Sequence, residues 1–273
     1  MQKIRLIPTV LIKNGLLVQS KAFKRHQILG NPSSILWRLT NWYSDEVIYL
    51  DISRDDVYDL NRDDLNFKNI HNIHEIIKEV SKKCFMPLTI GGKIRKLDHI
   101  YQRLNSGADK VSINTQAFRE STFIEKAAKE FGSQCIVVSM DAKVNNSGGW
   151  SIYIDGGKTP TDETPQKWAV KAQNLGAGEI LLNSIDRDGI GKGYDIELIS
   201  SVAETVSIPV IALGGVSKWE HLAEGIKAKA SAVSAANIFH YTENSVYHAK
   251  KYLFDSGFNV REPEIKTILS EGV

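Results

Sequence analysis

A chain of 273 residues is long enough for one large domain or two small ones, with ample material for a buried core. Hydrophobic residues make up 42% and charged residues 24%, and no apolar run approaches the ~18 residues a bilayer span needs, which excludes membrane-spanning, fibrous and disordered classes. The formal charge of +2 is too small a surplus to point to nucleic acid or an acidic membrane as partner, so any basic site must be local. Cys84 and Cys135 stand in apolar runs without metal-ligand spacing and read as reduced core thiols. The start, Met1-Gln2-Lys3-Ile4-Arg5, lacks an apolar signal core and a cleavage site, so a cytoplasmic location is expected.

Along the chain, short β-rich runs start near Arg5, Glu46, Phe85, Lys110, Cys135, Glu179, Ile208 and Ala232. Amphipathic segments follow them, such as Ile73 to Lys83 and Phe123 to Phe131, and eight βα units predict a TIM (βα)8 barrel. Runs such as Glu46-Val-Ile-Tyr-Leu-Asp51 and Cys135-Ile-Val-Val-Ser139 are continuously apolar, as expected of parallel strands buried on both faces. A Rossmann sheet is the alternative, but no G-x-G-x-x-G follows the first strand. One barrel over 1–261 with a polar tail over 262–273 is the expected organisation. The polar stretch from Arg54 to Asn69 reads as an ordered lid or a docking loop. Trp37, Trp42 and Trp168 fall in helical patterns and read as packing, while Trp219 is left open.

The chain also resembles itself. Pro87-Leu-Thr-Ile-Gly91-Gly92 parallels Pro209-Val-Ile-Ala-Leu-Gly214-Gly215, and Val111-Ser112-Ile-Asn114 parallels Val233-Ser234-Ala-Ala-Asn237, which predicts two similar half-barrels. Glycines at strand ends let backbone N–H groups approach a phosphate, so two such sites suggest a ligand with two phosphates; each Gly-Gly could also merely turn the chain. At an offset of 130, Val10-Leu11-Ile12-Lys13 aligns with Met140-Asp141-Ala142-Lys143. Asp141 closes an apolar strand at the C-terminal mouth, where a barrel keeps its chemistry, and is the leading general acid or base; capping the next loop is its bland alternative. Lys13 and Lys143 could touch substrate or face solvent. At the N-terminal mouth Arg5, Glu46, Lys110 and Glu179 stand at strand beginnings, two charges of each sign, for which a structural salt-bridge plug is the simplest reading.

The long motifs Gly107-Ala-Asp-Lys-Val-Ser-Ile-Asn114, Phe131-Gly-Ser-Gln-Cys-Ile-Val-Val138, Gly176-Ala-Gly-Glu-Ile-Leu-Leu182 and Asp186-Arg-Asp-Gly189 with Gly193-Tyr-Asp195 give the chain an end-to-end resemblance to the HisF family, the cyclase subunits of imidazole glycerol phosphate synthase. The resemblance implies a barrel that receives ammonia from a HisH-type glutaminase on its N-terminal face, as a heterodimer, and uses it at the C-terminal face on a phosphorylated small molecule. It implies no metal and no cofactor. Arg5, Glu46, Lys110 and Glu179 match the family's ammonia gate, and Asp109 a residue facing the glutaminase. Gly91, Gly92 and Asn114 match one phosphate site, and Gly214 and Gly215 the other. Asp141 matches one of two catalytic aspartates. The other is Leu11 here, and leucine transfers no proton. Lys93 replaces a third glycine of the first phosphate loop, Gln19 a customary lysine, and Asn237 a phosphate-contacting serine; Lys93 adds a cation as Gln19 removes one, so Lys93 and Asn237 are expected to contact a phosphate bound in a different pose.

These departures predict a divergent paralogue that handles ammonia but cyclises weakly or not at all. Family precedent includes HisH/HisF-like pairs in bacterial surface-polysaccharide clusters that feed ammonia to a separate ATP-dependent amidotransferase making an acetamidino sugar. The alternatives are a genuine cyclase, with Asp51 or Asp186 standing in for the lost carboxylate, and a subunit that activates its glutaminase without conducting ammonia. The related isomerase barrel ranks behind these.

Overall fold

The computed structural model describes residues 3–58, 70–241 and 243–263. Eight strands form a closed parallel ring: β1 (Arg5–Lys13), β2 (Val47–Asp51), β3 (Leu88–Gly91), β4 (Lys110–Ile113), β5 (Ile136–Val144), β6 (Glu179–Ser184), β7 (Val210–Leu213) and β8 (Ala232–Ala235). Each pairs with its successor, and Arg5↔Ala232 between β1 and β8 closes the barrel. Helices lie between the strands, which makes this the expected TIM barrel. Strand starts agree with the sequence reading or fall one to three residues later.

Neighbouring residues on paired strands share a face, and the two-residue period of a strand alternates between lumen and outer layer. Leu6, Val10 and Ile12 of β1 join a large cluster packed with the helices, whereas Ile7, Ile48, Val137, Leu181 and Ile211 form a small separate cluster. That small cluster fixes the inward parity. It carries Arg5, Ile7, Thr9, Leu11 and Lys13 inward on β1, and Val137, Ser139 and Asp141 on β5, so floor and mouth residues of one strand share one line down the lumen.

The halves repeat in detail. β1 and β5 are each nine residues long and each folds back on an antiparallel strand, with Leu11↔Val18 in one half and Asp141↔Tyr153 in the other. Leu11 and Asp141 are therefore structural equivalents. The Arg95 N–H donates to His99 Nδ1 at 3.3 Å and the Ser217 N–H to His221 Nδ1 at 3.3 Å. The fold-back from β1 is a hairpin, Leu16–Lys21 with Arg25–Gly30, entered through Asn14-Gly15, both at positive φ. An Asn-Gly pair between apolar alternations is the strongest short-range hairpin signal, and it stood in the sequence unread.

Several expectations need correction. Cys84 and Cys135 are half-buried at the floor ends of β3 and β5 and are not core thiols. Trp42 and Trp168 are buried as expected, and Trp219 packs against the core with its ring stacked on Phe239. The side chain of Trp37, most of the 54–69 stretch and the tail beyond Pro263 lie outside the described residues. Among the described residues no helix is long and apolar enough to cross a membrane.

First and last elements are locked together beneath β1. The fully buried Lys250, on helix Ser245–Asp255, donates to the Tyr43 carbonyl at 2.7 Å and to Asp45 Oδ1 at 2.6 Å, while Asp45 Oδ2 accepts the Leu6 N–H at 2.8 Å. Lys250→Ala removes the partner of a half-buried carboxylate and should cost about 3–5 kcal/mol in urea unfolding. A loss below about 1 kcal/mol would show that this lock contributes little.

Candidate functional site

The floor of the barrel is a ring of four charges. Arg5 Nη1 bonds Glu46 Oε1 at 2.5 Å and Glu179 Oε1 at 2.9 Å; Lys110 Nζ bonds Glu46 Oε2 at 3.1 Å and Glu179 Oε1 at 3.0 Å. Each cation meets both anions, so the signs alternate around the lumen. All four side chains are largely buried, at 8–16% exposure. Burial pulls the Arg5 guanidinium down, but Glu179 and Glu46 outweigh it and hold its pKa above the usual value. Glu179 Oε2 is buried with no hydrogen-bond partner in the protein. Beside the ring, Asp109 is exposed on the floor and holds the Leu88 N–H at 2.8 Å.

Above the floor the lumen mixes apolar side chains with hydroxyls. Thr9 Oγ1 and Ser234 Oγ pair at 2.7 Å, whereas Thr89 Oγ1 and Ser112 Oγ are buried without protein partners. At the mouth Asp141 Oδ2 accepts from Asn114 Nδ2 at 2.8 Å and Oδ1 from Asn183 Nδ2 at 3.3 Å. Burial dominates there and, with Asp188 near by, raises the Asp141 pKa to about 7 against the two amide bonds. At the equivalent place on β1, Leu11 is buried beside Leu50.

The family model described as "Histidine biosynthesis protein" matches residues 5–245. A relative from Vibrio vulnificus (strain YJ016), named "Putative imidazole glycerol phosphate synthase subunit hisF2", is 45% identical over 263 residues, covering 96% of this chain and 92% of the relative. The chain belongs to the HisF family.

In this HisF-family barrel the glycine turns have structural causes of their own. A Cβ on Gly92 (φ +104°) would stand 2.2 Å from the Asp51 carbonyl oxygen, and one on Gly215 (φ +99°) 2.2 Å from that of Gly193. Gly91 would strike Leu50, and Gly214 would strike Asn183 Oδ1. Close backbone packing alone demands glycine at these turns.

Lys93, read as a phosphate cation, is committed elsewhere. Held at φ +55°, it donates to the Asp55 carbonyl and sits 3.0 Å from Asp51 Oδ2, with its ammonium over the Tyr58 ring. Asp51 also accepts from Tyr58 Oη, Ser53 N–H and Ser53 Oγ, so it is a structural hub and not a stand-in acid; its partner is Lys93 rather than the Arg54 that sequence adjacency suggests. Asp186 accepts the Val144 N–H at 2.9 Å, which is a cap. Asn237 Nδ2 donates to the Ser20 carbonyl at 2.8 Å. Lys13 lies 3.2 Å from His26 Nδ1, and Lys143 lies over the Tyr153 ring.

The residue that sequence reasoning missed is Asp188, two positions after the Asp186 it weighed. Asp188 Oδ2 accepts from Ser20 Oγ at 2.7 Å and the Phe23 N–H at 3.1 Å, and its carbonyl takes the Ala22 N–H, so it latches the hairpin onto the mouth. Burial pushes its pKa up, opposed by those hydrogen bonds. Burial and Lys13 push the His26 pKa down, keeping that ring neutral at pH 7.

A carboxyl whose folded pKa of about 7 exceeds its ordinary 3.8 binds its proton more tightly when folded. Its contribution is complete below about pH 4 and is lost as pH rises through about 7. Asp141→Asn should therefore gain stability relative to wild type between pH 5 and pH 8, by about 3 kcal/mol for the two units between pH 5 and the folded pKa of about 7, at 1.36 kcal/mol per unit. Urea unfolding at both pH values measures this, and parallel curves for the two proteins would refute it.

Proposed function

We propose that this HisF-family barrel accepts ammonia from a HisH-type glutaminase at its floor, conducts it through the lumen and delivers it at the C-terminal mouth to a reaction other than ring closure. The observation that carries the reading is the complete four-charge ring set against Leu11 at the mouth. A neutral, compact donor such as ammonia suits the path above the ring. Glu179 Oε2 at the floor, Thr89 Oγ1 and Ser112 Oγ in the lumen and Asn183 Oδ1 at the mouth are buried oxygens at successive levels with no protein partner. Burying such groups unsatisfied costs free energy, which a hydrogen-bonding guest relieves.

The ring must open for ammonia to enter, and although both cations hold both glutamates, Lys110 is its movable member, a point charge on a flexible stem, whereas Arg5 carries a planar guanidinium. Two features of the floor support docking there. Asp109 is exposed beside the ring, and Phe85, in the connection entering β3, is 88% exposed, the largest exposure among the described large apolar side chains. An exposed aromatic on a functional face is the usual anchor of a protein interface. Amidination of a bacterial surface sugar by a separate ATP-dependent enzyme is the acceptor reaction that family precedent offers.

The floor has a direct test. With a HisH-type glutaminase subunit, Phe85→Asp should weaken the complex tenfold or more while leaving the melting temperature unchanged. Lys110→Met should spare binding but raise the glutamine hydrolysed per ammonia delivered. A barrel that only activates its glutaminase would show no change in that ratio.

A true cyclase is the second reading, favoured by one observation: Asp188 brings a second buried carboxylate into the electrostatic neighbourhood of Asp141. Both oxygens of Asp141 accept amide bonds and Asp188 is spent on the hairpin, so neither stands in for the carboxylate absent at Leu11. Given the bisphosphate substrate with ammonium salts, the purified chain should turn over roughly 10²–10⁴-fold below ordinary enzyme rates, and Leu11→Asp should raise the residue of activity. Turnover near ~10 s⁻¹ by the unmodified chain would overturn the relay reading.

A further inference from the structure

We infer that the hairpin side of the C-terminal mouth is a docking surface for an acidic face of the enzyme that consumes the ammonia. The partner's identity rests on the relay reading above; the surface itself rests on charge and strand geometry.

Three segments far apart in the chain build one cationic rim. The Phe23 ring at the hairpin tip lies against Gly157, where an added Cβ would stand 2.7 Å from it, and a Cβ on Gly189 would stand 2.9 Å from Lys21 Cα. These contacts gather Lys21, Lys24 and Arg25 of the hairpin, Lys158 beyond strand Trp150–Ile154 and Lys192 beyond β6 on one side of the mouth. All five are exposed, and none forms an ion pair among the described residues. The carboxylates on the same segments are engaged: Asp155 by Arg119, Asp186 by the Val144 N–H, and Asp188 by Ser20 Oγ and the Phe23 N–H. A chain of formal charge +2 thus concentrates unpaired cations here, which steers an acidic partner to the exit.

The hairpin also offers a backbone template. Arg25–Gly30 pairs with Leu16–Lys21 alone, so its outer edge is open among the described residues. An open edge invites an added strand. A second copy of this chain is the wrong occupant, because it brings the same cations to the rim. Ile28, 47% exposed on that strand, and Tyr241, 67% exposed and bonded to Gln19, supply apolar contact area between the charges. Ammonia that escapes into water at neutral pH is protonated and diluted, whereas a docked acceptor meets it at high effective concentration.

Photo-cross-linking in the native cell, with a benzophenone amino acid in place of the exposed Gln27 on the outer strand, captures the occupant, which is then purified and assayed. The expected adduct is a protein that uses ammonium salts as a substrate and is joined through an acidic segment. Lys21→Glu, Lys24→Glu and Arg25→Glu together should weaken its binding at least tenfold and lower its glutamine-supported turnover, while sparing turnover on ammonium salts and the melting temperature of the barrel. Lys129→Glu, exposed on helix Thr122–Phe131, should change none of these. No adduct, adducts confined to a copy of this chain, the glutaminase or nucleic acid, or unchanged affinity after charge reversal would each overturn the docking surface. Charge-dependent binding of a partner that draws on ammonium salts but never on glutamine would instead refute the relay and leave the surface standing.

Discussion

Four buried charges can sit at the floor of a barrel only if each is surrounded by the opposite sign, and that requirement orders the molecule from below. A single Arg–Glu pair there would have half its hydrogen-bonding capacity unmet in a low-dielectric site. The alternating ring avoids this by letting Arg5 and Lys110 each bridge Glu46 and Glu179. Parity does the rest. Once Arg5 points inward, the two-residue period obliges Ile7, Thr9 and Leu11 to follow it, so the floor and the mouth are fixed by one geometric rule.

The same rule makes the mouth informative. Two half-barrels with matching registers place Leu11 and Asp141 in equivalent sites, and the backbone treats them alike, down to the antiparallel strand each faces. Their difference is therefore chemical and not architectural. Asp141 is held by two amides and its pKa is lifted to about 7 by burial, whereas Leu11 joins Leu50 in an apolar wall. The barrel closes equally well on either residue, because a leucine at an inward strand position packs well. The floor lacks that freedom, since removing any one charge strands the others.

Much of this was legible in the chain. Continuous apolar runs announced strands buried on both faces, the paired Gly-Gly motifs announced the duplication, and charges at strand beginnings announced the floor. Legibility failed where a side chain's partner lies far off in sequence. Lys93 next to two glycines suggests a ligand, but its ammonium turns to Asp51 at the end of β2. Asp188 looked like one more charge in a loop motif, yet its carboxylate closes on Ser20, 168 positions away. The hairpin was missed for a different reason: Asn14-Gly15 is a local signal, outweighed by the larger βα rhythm. Glycine was the least decisive evidence, because a turn that needs close backbone packing and one that cradles phosphate use the same residue for the same steric reason.

The hairpin changes what the mouth can be. In a plain barrel the loop after the first strand stands over an open end; here the chain folds back along β1, and Asp188 and Asn237 fasten it through Ser20. Gly189 is then required, since a Cβ there would stand 2.1 Å from the Ser20 carbonyl. The fold-back therefore rests on contacts between residues far apart in the chain, Ser20 with Asp188 and with Asn237, 168 and 217 positions away.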